Sequence, residues 1–235
     1  MINYKVFDSG QAVVEALSQE LLHYSESARP VHISLSGGST PKLWFKYLAE
    51  HYSDKINWNN LHFWWGDERC VAPNDPESNY GQAKELLFDH IQIDSDNIHR
   101  IIGENDPEDE AQRLAQEICQ KVPKLHGIPA FDWILLGMGD DGHTASLFPH
   151  HTDFNDPDLT LVAAHPQSGQ LRVSKSARLL SNAERITYLV LGEGKAQRLK
   201  EIATHDAVDL PYPAAKIKAR NITEWYLDAN AAKDL

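Results

Sequence analysis

Asp140, Asp141 and His143 crowd into the segment GMGDDGHTASLFP, residues 137–149. They follow Trp133-Ile134-Leu135-Leu136, an apolar run that reads as a buried strand. A strand of that kind, ending in a glycine-rich turn, delivers polar groups to the carboxyl edge of a sheet, where open α/β proteins bind their ligands. An imidazole titrates near neutrality, so His143 is a candidate general base, and an adjacent carboxylate can fix its tautomer.

SGGSTP, residues 36–41, is a second turn suited to a ligand. Gly37 and Gly38 let the backbone approach closely, Ser39 and Thr40 add hydroxyls, and a helix start there presents free N–H groups. The outline is a phosphate cradle without the lysine of a Walker loop. Taken alone, it fits a capped tight turn equally well. Asp67, Glu68 and Arg69 leave the apolar run LHFWW together. Arg69 brings a fixed cation to the same sheet edge, whereas Glu68 reads as part of a solvated loop. Ser78 and Asn79 read as a helix cap. Arg172 opens RVSKSARLL, and Lys195 lies in GEGKA at an expected helix start. A lysine there opposes the helix dipole unless an anion sits nearby, although a solvent-facing lysine fits the pattern as well.

Gly137, Gly139 and Gly142 match the glycine spacing of a dinucleotide fingerprint, but Asp140 and Asp141 would repel a pyrophosphate. The acid expected on a ribose further along is also missing from DLTLVAAH, so a nicotinamide cofactor is excluded. No G-x-S-x-G elbow, H-E-x-x-H helix or Cys/His cluster occurs, and neither metal nor cofactor is expected. A net charge of −12 argues against nucleic acid as a partner. Cys70 and Cys119 read as free thiols, and MINYKVFDSG carries no signal-peptide pattern. No apolar run is long enough for a bilayer, which makes the cytoplasm the expected location. Nothing in the composition selects between a monomer and a homodimer.

These groups must be carried by a scaffold. Apolar runs at residues 31–35, 61–65, 131–136, 160–164, 187–191 and 222–227 read as strands. Helical patterns follow Pro41 and Asn79, span 107–122 and start again at Lys195. The alternation implies βαβ units, a mainly parallel buried sheet and one domain over residues 1–235.

In this order, SGGSTP, GDER with the later SN, GMGDDGHTASLFP, Arg172 and GEGKA resemble the 6-phosphogluconolactonase family over nearly the whole chain. The resemblance implies the three-layer α/β/α fold, with a Rossmann-like sheet, shared with glucosamine-6-phosphate isomerase/deaminase. It also implies hydrolysis of 6-phospho-D-glucono-1,5-lactone, a phosphorylated sugar lactone being the one expected partner. Carried over by motif, His143 is the general base and Arg69 sits near the lactone carboxyl. Gly38, Ser39, Thr40, Arg172 and Lys195 hold the phosphate, with Gly37 in the same turn. Either Asp141 or Asp67 is expected to orient His143. The deaminases carry tyrosine where this chain has Arg69 and glutamate where it has Phe148, which disfavours ring-opening isomerisation. A non-catalytic sugar-phosphate sensor would keep the cradle and have no use for His143. The chain departs from the family pattern in Val173-Ser174 after Arg172 and in a lengthened LPYPAAKI turn.

Overall fold

Short apolar runs bounded by glycine or polar turns become the strands of a parallel sheet in the computed structural model, which describes residues 2–235. In chain order the strands are β1 (Tyr4–Phe7), β2 (Val31–Leu35), β3 (Leu61–Trp65), β4 (Asp67–Arg69), β5 (Lys124–Leu125), β6 (Ile128–Pro129), β7 (Trp133–Gly137), β8 (Thr160–Ala164), β9 (Leu171–Lys175), β10 (Arg185–Val190) and β11 (Ile222–Asp228). The α-helices are α1 (Gly10–Ser25), α2 (Ser39–His51), α3 (Asn79–Leu86), α4 (Pro107–Lys121), α5 (Ala177–Ser181), α6 (Ala196–Thr204) and α7 (Pro213–Lys216).

The main sheet has the order β1-β11-β10-β7-β2-β3, and every pairing in it is parallel. From β2 the chain moves to β3 on one side, whereas from β7 it moves to β10 on the other. Right-handed crossovers therefore put α1 and α2 on one face and α4 and α6 on the opposite one, giving the three-layer α/β/α architecture. The winding reverses between β2 and β7, and a crevice opens there at the carboxyl ends of the strands. SGGSTP follows β2 and the glycine-histidine turn follows β7, so both motifs meet at this reversal.

The strands are buried on both sides, with Ile33, Phe63, Trp133, Ile134 and Tyr188 at the centre of the core. That explains why they read as continuous apolar runs and not as alternation. A second sheet, β4-β9-β8, is antiparallel and carries the charged residues of GDER beside those of RVSK. The run at 160–164 belongs to this sheet, outside the parallel one. Among the described residues no helix is long and apolar enough to cross a membrane.

Candidate active site

The turn after β7 folds back on itself. Gly139 N–H donates to His143 O at 2.9 Å, and Gly142 N–H donates to Gly139 O at 2.9 Å. A methyl group on Gly139 would lie 2.1 Å from His143 Nδ1, so only glycine lets the imidazole pack on this backbone. His143 Nδ1 is 2.6 Å from Asp141 Oδ1, and the same oxygen accepts the His143 backbone N–H at 3.0 Å. Burial works against the Asp141 carboxylate, but the hydrogen bonds and positive potential of His143 prevail and hold it below the usual aspartate range. An ionised carboxylate only accepts hydrogen bonds, so Nδ1 carries a proton, and in the neutral ring Nε2 is the nitrogen with the lone pair. The ring of Phe148 lies 5.0 Å from that of His143, centre to centre.

The antiparallel sheet brings the cations. Asp67 stands opposite Ser174, and Arg69 opposite Arg172, so all four side chains share one face. Asp67 Oδ2 accepts Ser146 Oγ–H at 2.6 Å and lies 4.0 Å from Arg172 Nη1. Of the two carboxylates that the sequence left open, only Asp141 is hydrogen-bonded to the imidazole. Arg69 lines the crevice, and its Nη1 donates to Glu77 O at 2.8 Å. Burial, and then the neighbouring Arg69 cation, lower the Arg172 pKa against the pull of Asp67.

Glu68 corrects the sequence reading. It is buried, not solvated, and accepts from Arg69 N, Asn79 N and Tyr80 N, each at 2.8 Å, and from Ser78 Oγ at 3.2 Å. Burial raises its pKa in spite of those donors. A motif of three adjacent charges suggests a wet loop, and nothing local reveals a helix start folded over the middle one. Ser78 does cap α3, accepting from Gly81 N at 2.9 Å. Asn79 is not a cap: it is the first residue of α3, and its side chain lines the crevice.

The crevice encloses about 180 Å³ and is lined by the Ser36-Gly37-Gly38 turn, Asp67, Arg69, Asn79, His143 and Arg172, among others. Among the described residues, six buried side-chain polar atoms have no partner within the protein. Four of them, Ser36 Oγ, Arg69 Nε, Asn79 Oδ1 and Arg172 Nε, belong to residues of this lining. Such concentration of unpaired polar groups marks a place built for a polar ligand.

Gly38, in the lining, precedes the first turn of α2; the remaining expected residues lie at the margins of the crevice, with Ser39 exposed in that turn and Thr40 buried within the helix. Lys195 closes a short 3-10 turn before α6, outside the lining, with Nζ 2.5 Å from Asp140 Oδ1. Tyr212, from the LPYPAAKI segment, packs against Gly142, and Arg198 donates to Tyr212 Oη at 2.8 Å and to Asp140 O at 3.1 Å. This segment thus braces the His143 turn from behind. Cys70 is partly buried, and burial raises its thiol pKa, which disfavours the thiolate.

The model of the glucosamine-6-phosphate isomerases/6-phosphogluconolactonase family matches residues 8–225. The chain belongs to this family. A 6-phosphogluconolactonase of Haemophilus influenzae is 59% identical over 234 residues, covering 99% of each chain. The crystal structure of the devB protein superposes with a TM-score of 0.98 at 59% identity, over 100% of both chains. That of 6-phosphogluconolactonase from Thermotoga maritima gives 0.83 at 28% identity, over 97% of this chain and 100% of the other. Arg69, where the resemblance expects tyrosine in a deaminase, lines the crevice, and Phe148, where it expects glutamate, has its ring against that of His143.

Proposed function

We propose that the chain hydrolyses 6-phospho-D-glucono-1,5-lactone to 6-phospho-D-gluconate, as a single domain over residues 1–235. The observation that carries this reading is the meeting of a tautomer-fixed imidazole with two guanidinium groups, each with an unpaired buried Nε, on one small crevice. A δ-lactone is an activated ester, and a positioned water, a base and a cation on the developing oxyanion meet its needs.

His143 Nε2 accepts a proton from water as the water oxygen attacks C1. Negative charge gathers on the former carbonyl oxygen, beside Arg69. When the tetrahedral centre collapses, the C1–ring oxygen bond breaks and His143 returns the proton to that oxygen. The carboxylic acid formed then ionises and releases one proton to solvent. Asp141 keeps Nδ1 protonated throughout and stabilises the transient imidazolium. Arg172 and the amides after Gly37 and Gly38 hold the phosphate, which fixes C1 over the base, and Lys195 meets it from the margin. No residue of the site supplies a carboxylate at the Phe148 position, which sets the deaminase reading aside. Reducing compartments suit the two free thiols, Cys70 and Cys119, and we place the protein in the cytoplasm.

The test is proton release on freshly generated lactone, followed by pH-stat and corrected for spontaneous opening, beside ammonia release from glucosamine-6-phosphate. Saturable proton release with no ammonia supports the lactonase; ammonia, or binding without turnover, overturns it.

A further inference from the structure

The start of α3 touches both walls of the crevice at once, and neither Glu68 nor Asn79 takes part in the chemistry described so far. Glu68 lies between β4 and this helix. Its Oε1 accepts the backbone N–H of Arg69 and of Asn79, and its Oε2 accepts the N–H of Tyr80 and the hydroxyl of Ser78. A carboxylate with four donors from two chain segments ties the backbone of Arg69 to the first turn of the helix.

Asn79 then reaches from that turn to the opposite wall. Its Nδ2 donates to Asp67 O at 3.1 Å, which fixes the orientation of the amide. Oδ1 consequently faces Gly37, so closely that a methyl group on Gly37 would lie 2.0 Å from it. Oδ1 is buried and accepts no hydrogen bond within the protein. An unpaired buried carbonyl costs stability, and it persists here against the glycine turn of the crevice.

We propose that Glu68 and Asn79 are positioning residues, a clamp that sets the distance between the guanidinium of Arg69 and the Ser36–Gly38 turn. Glu68 fixes the helix to the arginine strand, and Asn79 is the spacer against Gly37. The substrate bridges the two walls, so a change in their separation misplaces C1 relative to the charge that stabilises it, and small misplacements are costly. The inference rests on the lactonase reading of the site.

A double-mutant cycle tests it with steady-state kinetics on the phosphorylated lactone, well below the melting temperature of each variant. Gly37→Ala alone places a methyl on Asn79 Oδ1 and lowers kcat/KM by about 100-fold. Asn79→Ala removes the spacer and lowers kcat by about 10-fold. In the double variant the new methyl has room, and kcat/KM recovers at least about 10-fold over Gly37→Ala, a coupling expected only of residues in contact. Glu68→Gln turns an N–H group onto the α3 donors and lowers kcat, while Glu68→Asp, still a carboxylate, restores part of it. A double variant no more active than Gly37→Ala overturns the clamp. So do Asn79 and Glu68 variants that melt earlier yet keep the parent kcat and KM, because a purely structural role gives that result. A parent without lactonase activity would instead be a failure of the functional reading.

Discussion

His143 and Asp141 form a closed pair: one carboxylate oxygen of Asp141 accepts both the ring Nδ1–H and the backbone N–H of His143, at 2.6 and 3.0 Å. The ring is therefore oriented by its own turn, and no distant strand is needed to set its tautomer. His143→Ala should lose about 10²–10⁴-fold in kcat with little change in KM, the range for removal of a general base. Against its burial, the hydrogen bonds and positive potential of His143 hold Asp141 below the ordinary aspartate range, which favours the charged form. Asp141→Asn removes that charge while keeping an acceptor, and kcat should fall by about 10–100-fold. Asp67→Asn, which breaks with Ser146 and Arg172 instead, should act mainly on KM. Equal kcat losses for both aspartates would show that the pairing is not what orients the base.

Arg172 and Lys195 differ in setting, and the difference predicts unequal effects on phosphate binding. Arg172 is buried on the crevice wall, whereas Lys195 sits at its margin, paired with the exposed Asp140. Arg172→Gln should raise KM for the phosphorylated lactone by about 10–100-fold, the worth of a charge-assisted contact in a desolvated site. Lys195→Ala should raise it less than about 10-fold, and the effect should shrink in high salt. The unphosphorylated lactone separates the two roles: its kcat/KM should be insensitive to either substitution. A variant that loses activity equally on both lactones acts on something other than the phosphate.

The strands that hold these groups were legible because parallel strands buried on both faces are apolar without interruption, as in Val31–Leu35 and Trp133–Gly137. Pro107 and the acids behind it marked α4 for the same local reason, a proline and negative charge at a helix start. The antiparallel sheet was not legible. The pairing of Arg69 with Arg172 is a long-range event, and no local pattern says which strand a three-residue charged segment will join. Glu68 and Asn79 were hidden for a related reason: the first turn of α3 folds over Glu68, and Asn79, on that turn, reaches Asp67 O on β4. β1 escaped notice as well, since an edge strand with Tyr4, Lys5 and Val6 exposed shows no burial pattern.

Acid should weaken the fold through His32. This side chain is buried among other imidazoles, with its ring 4.7 Å from that of His62 and its Nδ1 accepting the indole N–H of Trp64 at 3.1 Å. Burial, and then the proximity of His62, push its pKa down to about 4. The unfolded chain titrates near the ordinary value of about 6.5, so it binds the proton first as pH falls. Stability is therefore complete above about pH 6.5, declines between about 6.5 and 4, and levels off below, the loss from this group approaching about 3 kcal/mol. Denaturant midpoints measured from pH 7.5 to pH 4 should show the decline. His32→Asn keeps an acceptor for Trp64 but cannot titrate, and it should flatten the curve in that window whatever its absolute stability. An unchanged slope would assign the acid sensitivity to other groups.

Lys175 presents the opposite opportunity, a charge whose removal should strengthen the protein. It lies fully buried on β9, where its ammonium donates to Trp65 O and sits 4.7 Å from the centre of the Phe131 ring. Burial brings its pKa down to about 7, with only the field of Asp67 opposing. The folded state thus resists protonation that the unfolded chain accepts up to about pH 10.5. Between about pH 7 and 10.5 the unfolded state holds more protons, and stability rises with pH in that interval. Lys175→Met has similar length and no charge. It leaves Trp65 O without a donor, a cost of about 1 kcal/mol, but removes the larger cost of a poorly paired buried cation. The variant should be more stable at pH 7 by about 1–3 kcal/mol and should lose the rise in stability between pH 7 and pH 9. Because Lys175 stands on the face of β9 opposite Arg172 and Ser174, turnover should be preserved. A methionine variant that is less stable than the parent, or that keeps the same pH slope, would mean that the lysine is a structural asset at this position.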